Sequence, residues 1–268
     1  MRLYALAIYL FLYIPIGIIA LFSFNAGRHA SQFTGFSVQW YGKTLSNPFV
    51  MEALKTSLTV AFLSATLATV AGTMAALALP ALKGRMRIFF DAALYVAVMG
   101  PGIVIGIATL IALVTVFDWV NPLLAALWPG AEPPQLGLGL GSLVLAHGLF
   151  AMALVVIIVR ARVAGMDRSL IEASADLGAT PWGTFRQVTL PQIAPAVLAG
   201  FLLSFTFSFD DFIIAFFVAG PNTTLPIYVF SSIRRGVTPE INAIGTMVMA
   251  VSLVLLIIAQ GMLQRRRA

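Results

Sequence analysis

Six apolar segments constrain this chain more than any other feature: residues 4–24, 56–79, 88–117, 136–159, 193–220 and 243–262. About 20 apolar residues of helix cross the hydrocarbon layer of a bilayer. Lipid offers no partners to an open backbone, so a spanning segment must be a helix or part of a closed barrel, and a barrel needs short alternating strands rather than long apolar runs. The sequence therefore predicts an all-α membrane protein, a bundle of six transmembrane helices. Composition agrees, with 60% hydrophobic and only 10% charged residues, against about 25% charged in soluble domains. Arg2 ahead of the first segment is also the layout of a cleaved signal peptide, but the apolar core is long and no A-x-A site follows, so a retained helix is expected. The domain layout expected is a first helix and outer loop over residues 1–55, a transmembrane domain over 56–263 and a basic cytoplasmic tail over 264–268.

Charge orients the bundle. With the N-terminus inside, the inner segments hold eleven basic residues: Arg2, Lys83, Arg85, Arg87, Arg160, Arg162, Arg168, Arg186, Arg265, Arg266 and Arg267. The outer ones hold five, namely Arg28, Lys43, Lys55, Arg234 and Arg235. The excess places both termini in the cytoplasm. A net charge of +6 would suggest nucleic acid in a soluble protein, but here the bases sit at the ends of apolar spans, so the bilayer is the partner and nucleic acid is not. The chain has no cysteine and only His29 and His147, so no metal site is expected. No G-x-x-x-x-G-K-[ST] phosphate loop is present. The glycine cluster at residues 137–142 lacks the lysine and reads as a flexible or closely packed helix start, and no cofactor is expected.

The inner segment between the fourth and fifth spans is about thirty residues long and patterned. Asp167 is suited to start a helix and Gly178 to stop one, with Leu170, Ile171, Ser174 and Leu177 on one face and Arg168, Glu172 and Asp176 on the other. Thr180 and Pro181 start a second helix, and Pro191 is expected to close the segment. A helix, a glycine turn and a helix at this position suit either an interfacial pair lying on headgroups or a protein-docking element.

Within the bundle, Gly100, Pro101 and Gly102 interrupt the third span, as a packing notch or part of a gate. His147, in the fourth span, is expected to hydrogen-bond a neighbouring helix. In the fifth span Asp210 and Asp211 stand side by side. Two central aspartates cost about 5 to 7 kcal/mol of insertion free energy, which the fifteen Leu, Ile, Val and Phe residues of that span roughly offset. The acids must therefore face away from lipid. Successive helical residues point about 100° apart, so both can act at one place only where the helix breaks. Ser208, three residues before Asp211, reads as a capping box opening a half-helix from Phe209. Capping that half-helix and binding a cation both fit the pair. Adjacent acids cannot supply the facing geometry of an aspartyl protease.

Glu172-Ala173-Ser174, then Gly178 and later Val188, Leu190 and Pro191, resemble the "EAA" loop of ATP-binding-cassette importer permeases, E-A-A-x3-G-x9-I-x-L-P. Ser174 replaces the second alanine and Val188 the isoleucine. The resemblance implies a coupling helix seated on cytoplasmic ATP-binding subunits, with Glu172 making or supporting the polar contact, Ala173 allowing close approach and Gly178 forming the turn. It implies that ATP is hydrolysed on those separate subunits, so this chain is not an enzyme. Further on, S-F-D-D-F at residues 208–212, Ala219-Gly220-Pro221, Thr224-Leu225-Pro226 and the run from Gly236 to Ala243 are similar to the second permease subunit of spermidine and putrescine importers. The partners implied are a second, different permease chain and an external solute-binding protein, in a bacterial inner membrane. The substrate pathway expected contains Asp210, Asp211, Phe209 and Glu240, carboxylates among aromatic faces that suit a polyamine. Permeases for opines and aminophosphonates share much of the pattern, and an ion-coupled secondary transporter would also place acids at a broken helix.

Overall fold

The computed structural model describes residues 2–28, 32–130, 132–167 and 169–265, with side chains described within those limits from Tyr4 to Val254. His29, Arg168, Arg266 and Arg267 lie outside the described residues, as does most of the expected basic tail. Every regular element described is helical, and an isolated antiparallel bridge pairs Asn25 with Phe36. Among the described residues five helical stretches are long and apolar enough to cross a membrane: Tyr4–Phe22, Pro48–Ala81, Gly102–Leu127, Leu140–Ala164 and Pro181–Asp210. The chain is a multi-pass membrane protein. It divides into two compact units, Met1–Glu52 with Tyr228–Ala268, and Ala53–Ile227.

In the first unit, α1 (Arg2–Phe22) and α2 (Gln39–Ser46) both pack on the last helix, Pro239–Arg265. The loop between α1 and α2 is folded around Asn25, which is fully buried. Its Oδ1 accepts from the Thr34 backbone N–H at 2.9 Å, and its Nδ2 donates to the Gln32 carbonyl at 2.8 Å. The Trp40 indole N–H donates to the Asn25 carbonyl at 2.8 Å. One asparagine thus satisfies the backbone of a loop that has no ladder of its own.

The second unit is built on α6 (Leu140–Ala164), whose buried face runs from Ser142 through His147 and Ala151 to Val159. Two helices approach it closely through small residues, the way helices associate in lipid. One is α3 (Pro48–Ala78), where a Cβ at Gly72 would lie 2.8 Å from Val155 Cβ and 3.0 Å from the Met152 carbonyl. The other is α9 (Leu190–Asp210), where a Cβ at Gly200 would lie 3.4 Å from both Val155 methyls. Val155 is wedged between two glycines. Gly72→Ala is therefore expected to destabilise the purified permease by about 1 to 3 kcal/mol through overpacking, and Gly200→Ala to change it little. Thermal unfolding in detergent checks the contrast, and equal shifts for both would contradict it.

Several span limits differ from the sequence expectation for local reasons. The second span starts at Pro48 rather than residue 56, because proline suits the first helical position and Asn47 Oδ1 accepts the Phe49 N–H at 3.1 Å. Lys55 thereby lies inside a helix. The third span, expected as one segment over 88–117, is two helices, α4 (Gly84–Met99) and α5 (Gly102–Leu127). Gly100 precedes a proline and takes the extended backbone that this position favours, with ψ 145°. The fourth span starts at Leu140, since Leu136 is held in the loop by two hydrogen bonds with Asn121. The fifth is interrupted: α9 ends at Asp210 and α10 (Ile213–Val218) follows after Asp211 and Phe212.

Pro191 does not close the segment between α6 and α9. α7 (Ser169–Asp176) and α8 (Pro181–Thr184) are followed by a π turn over Phe185–Thr189, and the chain enters α9 without leaving helical conformation. Proline lacks an N–H and its ring crowds the carbonyl four residues back. Widening the turn, with Leu190 N–H bonded to the Phe185 carbonyl, accommodates it.

Candidate functional site

Two neighbourhoods in the second unit gather most of the residues singled out above. In the segment between α6 and α9, Asp167 Oδ1 accepts the Ser169 N–H at 2.9 Å. Hydrogen bonds from the Ser169 side chain and then its backbone hold the Asp167 carboxyl below the usual range. α7 ends in a Schellman turn: Ala179 N–H reaches the Ser174 carbonyl, Gly178 N–H reaches the Ala175 carbonyl, and Gly178 sits at φ +78°. Thr180 Oγ1 accepts the Gly183 N–H at 3.1 Å, with Pro181 at the first helical position.

Ser174, the departure from the E-A-A pattern, lies 2.9 Å from Thr184 Oγ1 and ties α7 to α8. Motif reading treats Ser174 as a small replacement and cannot see this link, because Thr184 lies ten residues away. Glu172, Ala173, Leu190 and Pro191 are exposed, and the apolar tips Leu177 and Trp182 are 89% and 69% exposed. Arg162 Nε donates to the Gln192 carbonyl at 2.9 Å, closing the neck of the segment.

The second neighbourhood is the interruption between α9 and α10. Small residues Gly200, Ser204 and Ser208 form one buried stripe on α9. Ser208 does not open a half-helix; it lies within α9, and its Oγ is 2.8 Å from His147 Nδ1 on α6. The half-helix begins at Ile213, four residues later than the capping box required, and Asp211 caps its first turn, its Oδ2 accepting the Ala215 N–H at 3.0 Å. Asp211 Oδ2 is also 3.5 Å from His147 Nε2, and its side chain is about a quarter exposed, while Asp210 is exposed. Phe209 stacks on Phe205 with ring centroids 6.3 Å apart, and Phe212 lies 5.5 Å from Phe216.

The break in α9 and the break before α5 lie side by side. A Cβ at Gly102 would sit 3.4 Å from Ile213, and one at Gly106 would sit 2.7 Å from the Phe217 ring. Small residues at both positions let α5 and α10 pack as a pair beyond the two interruptions. Gly100 and Pro101 form the joint itself. Beyond α10, Ser142 Oγ donates to the Val218 carbonyl at 2.7 Å, and Gly220, at φ +55°, passes against the Leu138 carbonyl.

Glu240 belongs to the first unit, in the first turn of α12 (Pro239–Arg265), where its Oε1 accepts from Asn47 Nδ2 at 2.8 Å. It helps line a cavity of about 180 Å³ with Tyr228, Ser232, Arg235 and Ile241. α11 (Leu225–Arg235) carries Arg234 and Arg235 in its last turn, where basic charge complements the helix dipole. Among the described residues no group of three or more His, Cys, Asp or Glu side chains could hold a metal ion.

Comparison with known proteins follows the same outline. Residues 69–268 match the family described as binding-protein-dependent transport system inner membrane component. The chain is 37% identical over 255 residues to the spermidine/putrescine transport system permease protein PotC of Escherichia coli (strain K12), covering 95% of this chain and 90% of that one. It is 39% identical over 242 residues to the putrescine transport system permease protein PotI of the same strain, covering 89% and 82%. Among solved structures, a chain of a bacterial ABC transporter involved in alginate import superimposes with a TM-score of 0.73 at 18% identity, covering 98% of this chain and 95% of that one. A chain of the inward-facing MetNI methionine ABC transporter superimposes with a TM-score of 0.57, covering 80% and 93%. At such identities these two likenesses bear on the fold alone.

Proposed function

The chain belongs to the family of binding-protein-dependent transport system inner membrane components, and we propose that within it this protein is a permease subunit of an ATP-driven polyamine importer. The observation that carries the substrate class is the Asp210–Asp211 pair, placed at a helix break beside stacked phenylalanines in a chain otherwise poor in acids. Two carboxylates released from the 100° constraint of a continuous helix can meet one ammonium group, and the adjacent rings offer cation–π faces. The similarity to spermidine and putrescine permeases supports the same substrate class.

On this reading the chain crosses a bacterial inner membrane six times with both termini inside. Leu94 of α4 packs towards the Val155–Val159 end of α6, and Ile105 and Leu110 of α5 towards the Leu143–Ala146 end. That progression supports one antiparallel passage with a joint at Gly100–Pro101, which serves as a gate together with Gly102. The segment holding Glu172, Ala173, Ser174 and Gly178 docks on a cytoplasmic ATP-binding subunit, and Leu190 and Pro191 carry its motion into α9. A second permease chain and an external solute-binding protein complete the importer, and Glu240 serves the outer part of the path.

The test is uptake by vesicles holding the reconstituted complex with its binding protein, given ATP and no ion gradient. Spermidine or putrescine is expected to accumulate, and opines or aminophosphonates are not. Asp211→Asn and Asp210→Asn are each expected to cut polyamine uptake about 10- to 100-fold, the scale of a lost charge-assisted contact, while the complex still assembles. Unchanged uptake in both variants leaves the acids with helix capping alone. Uptake that needs an ion gradient rather than ATP would identify a secondary transporter instead.

A further inference from the structure

We propose that His147 is a positioning residue that aims the Asp211 carboxylate across the interruption between α9 and α10. The inference rests on the reading of Asp211 as a substrate contact and adds the group that orients it. His147 is 2% exposed, on α6, which runs uninterrupted past the break. Its Nδ1 is 2.8 Å from the Ser208 hydroxyl, in the last turn of α9. Its Nε2 is 3.5 Å from Asp211 Oδ2 and makes no hydrogen bond among the described residues.

The chemistry orders these contacts. A serine hydroxyl donates readily, and when it donates to Nδ1 the neutral imidazole carries its proton on Nε2. That N–H then points at a carboxylate. Asp211 needs such a guide because it lies in the two-residue gap, where no helical hydrogen bond fixes its direction. Two donors flank Oδ2: the Ala215 N–H at 3.0 Å from the far side of the gap, and the imidazole from α6. Held this way, the carboxylate keeps Oδ1 for a ligand. The separation of 3.5 Å is longer than a formed hydrogen bond, so the imidazole limits the swing of the carboxylate without locking it. An apolar residue at 147 would fill the space equally well but leave Asp211 tethered only to α10.

The experiment uses the reconstituted importer and reads spermidine-dependent uptake as half-saturation against maximal rate. His147→Phe keeps the ring and removes both nitrogens. It is expected to raise the half-saturating spermidine concentration about threefold to tenfold, the range of a modest net polar contact, with the maximal rate within about twofold. His147→Gln, which can accept from Ser208 and donate to Asp211, is expected to recover most of that loss. In an Asp211→Asn background His147→Phe should add no further shift, because the two act as one unit. If His147→Phe complexes are not recovered, Ser208→Ala carries the comparison and must raise half-saturation in the same sense.

The proposal is overturned if His147→Phe leaves half-saturation unchanged while Asp211→Asn raises it. It is also overturned if Phe and Gln at 147 lower only the maximal rate, and to the same extent, which is the mark of helix packing. If Asp211→Asn itself leaves half-saturation unchanged, it is the substrate reading of Asp211 that fails.

Discussion

Replacing Gly220 by valine is expected to leave almost no assembled permease in the membrane. Gly220 has φ +55°, a region that costs a non-glycine residue about 1 to 2 kcal/mol and is worse for a β-branched side chain. Its added Cβ would also lie 2.4 Å from the Leu138 carbonyl oxygen and 2.7 Å from the carbonyl carbon. These are backbone atoms, and they cannot turn aside as a side chain would. The loop that carries them is held by Asn121 at Leu136 and by the Gly139–Ser142 cap of α6. Strain and overpacking together reach about 2 to 5 kcal/mol, a large share of the roughly 5 to 15 kcal/mol that keeps a protein folded. Membrane abundance and thermal stability in detergent check this, with Gly42→Ala as the control, since nothing lies within 4 Å of a Cβ there. Normal abundance of Gly220→Val would mean that the α10 turn does not pass Leu138 as described.

Gly178→Val is expected to do the opposite, leaving the bundle inserted but abolishing both ATPase association and uptake. Nothing lies within 4 Å of a Cβ at Gly178, so the whole penalty is conformational and falls on φ +78°. Valine there undoes the turn that satisfies the last carbonyls of α7 and pulls Ser174 from Thr184. The exposed pair Leu177 and Trp182 then loses its fixed spacing, and with it the docking surface proposed above. Glu172→Arg, which keeps the turn and inverts one exposed charge, should weaken association in the same assay. Co-purification of the ATP-binding subunit with the permease measures both. Wild-type association and uptake with Gly178→Val would rule out the docking role of this segment.

The two glycines also mark what sequence could and could not convey. Gly178 was legible because its cause is local: a helix pattern stops, and a new start follows within two residues. Gly220 sits in an equally recognisable Ala-Gly-Pro run, but its closest contact is a carbonyl 82 residues earlier, which no periodicity reports. The same division holds elsewhere. The aspartates predicted a break because adjacent helical residues point about 100° apart, yet the side chain that caps the first turn of α10 is Asp211, since Ser208 is taken by a histidine 61 positions away. Hydropathy ended the third span at residue 117, before Asp118 and Asn121, but polar side chains do not themselves end a helix, and α5 continues to Leu127. Apolar length found the spans, and backbone hydrogen bonding decided their limits.

The π turn over Phe185–Thr189 has a mechanical consequence. By absorbing Pro191 it leaves a single lever arm of 30 residues from Pro181 to Asp210, about 45 Å long at helical rise. A lever of that length turns a tilt of about 5° at one end into a sweep of about 4 Å at the other. The gap at Asp211 and Phe212 ends that arm, so if the segment docks as proposed above, a push received beside Trp182 would be spent on reorienting a carboxylate rather than dissipated in a loop.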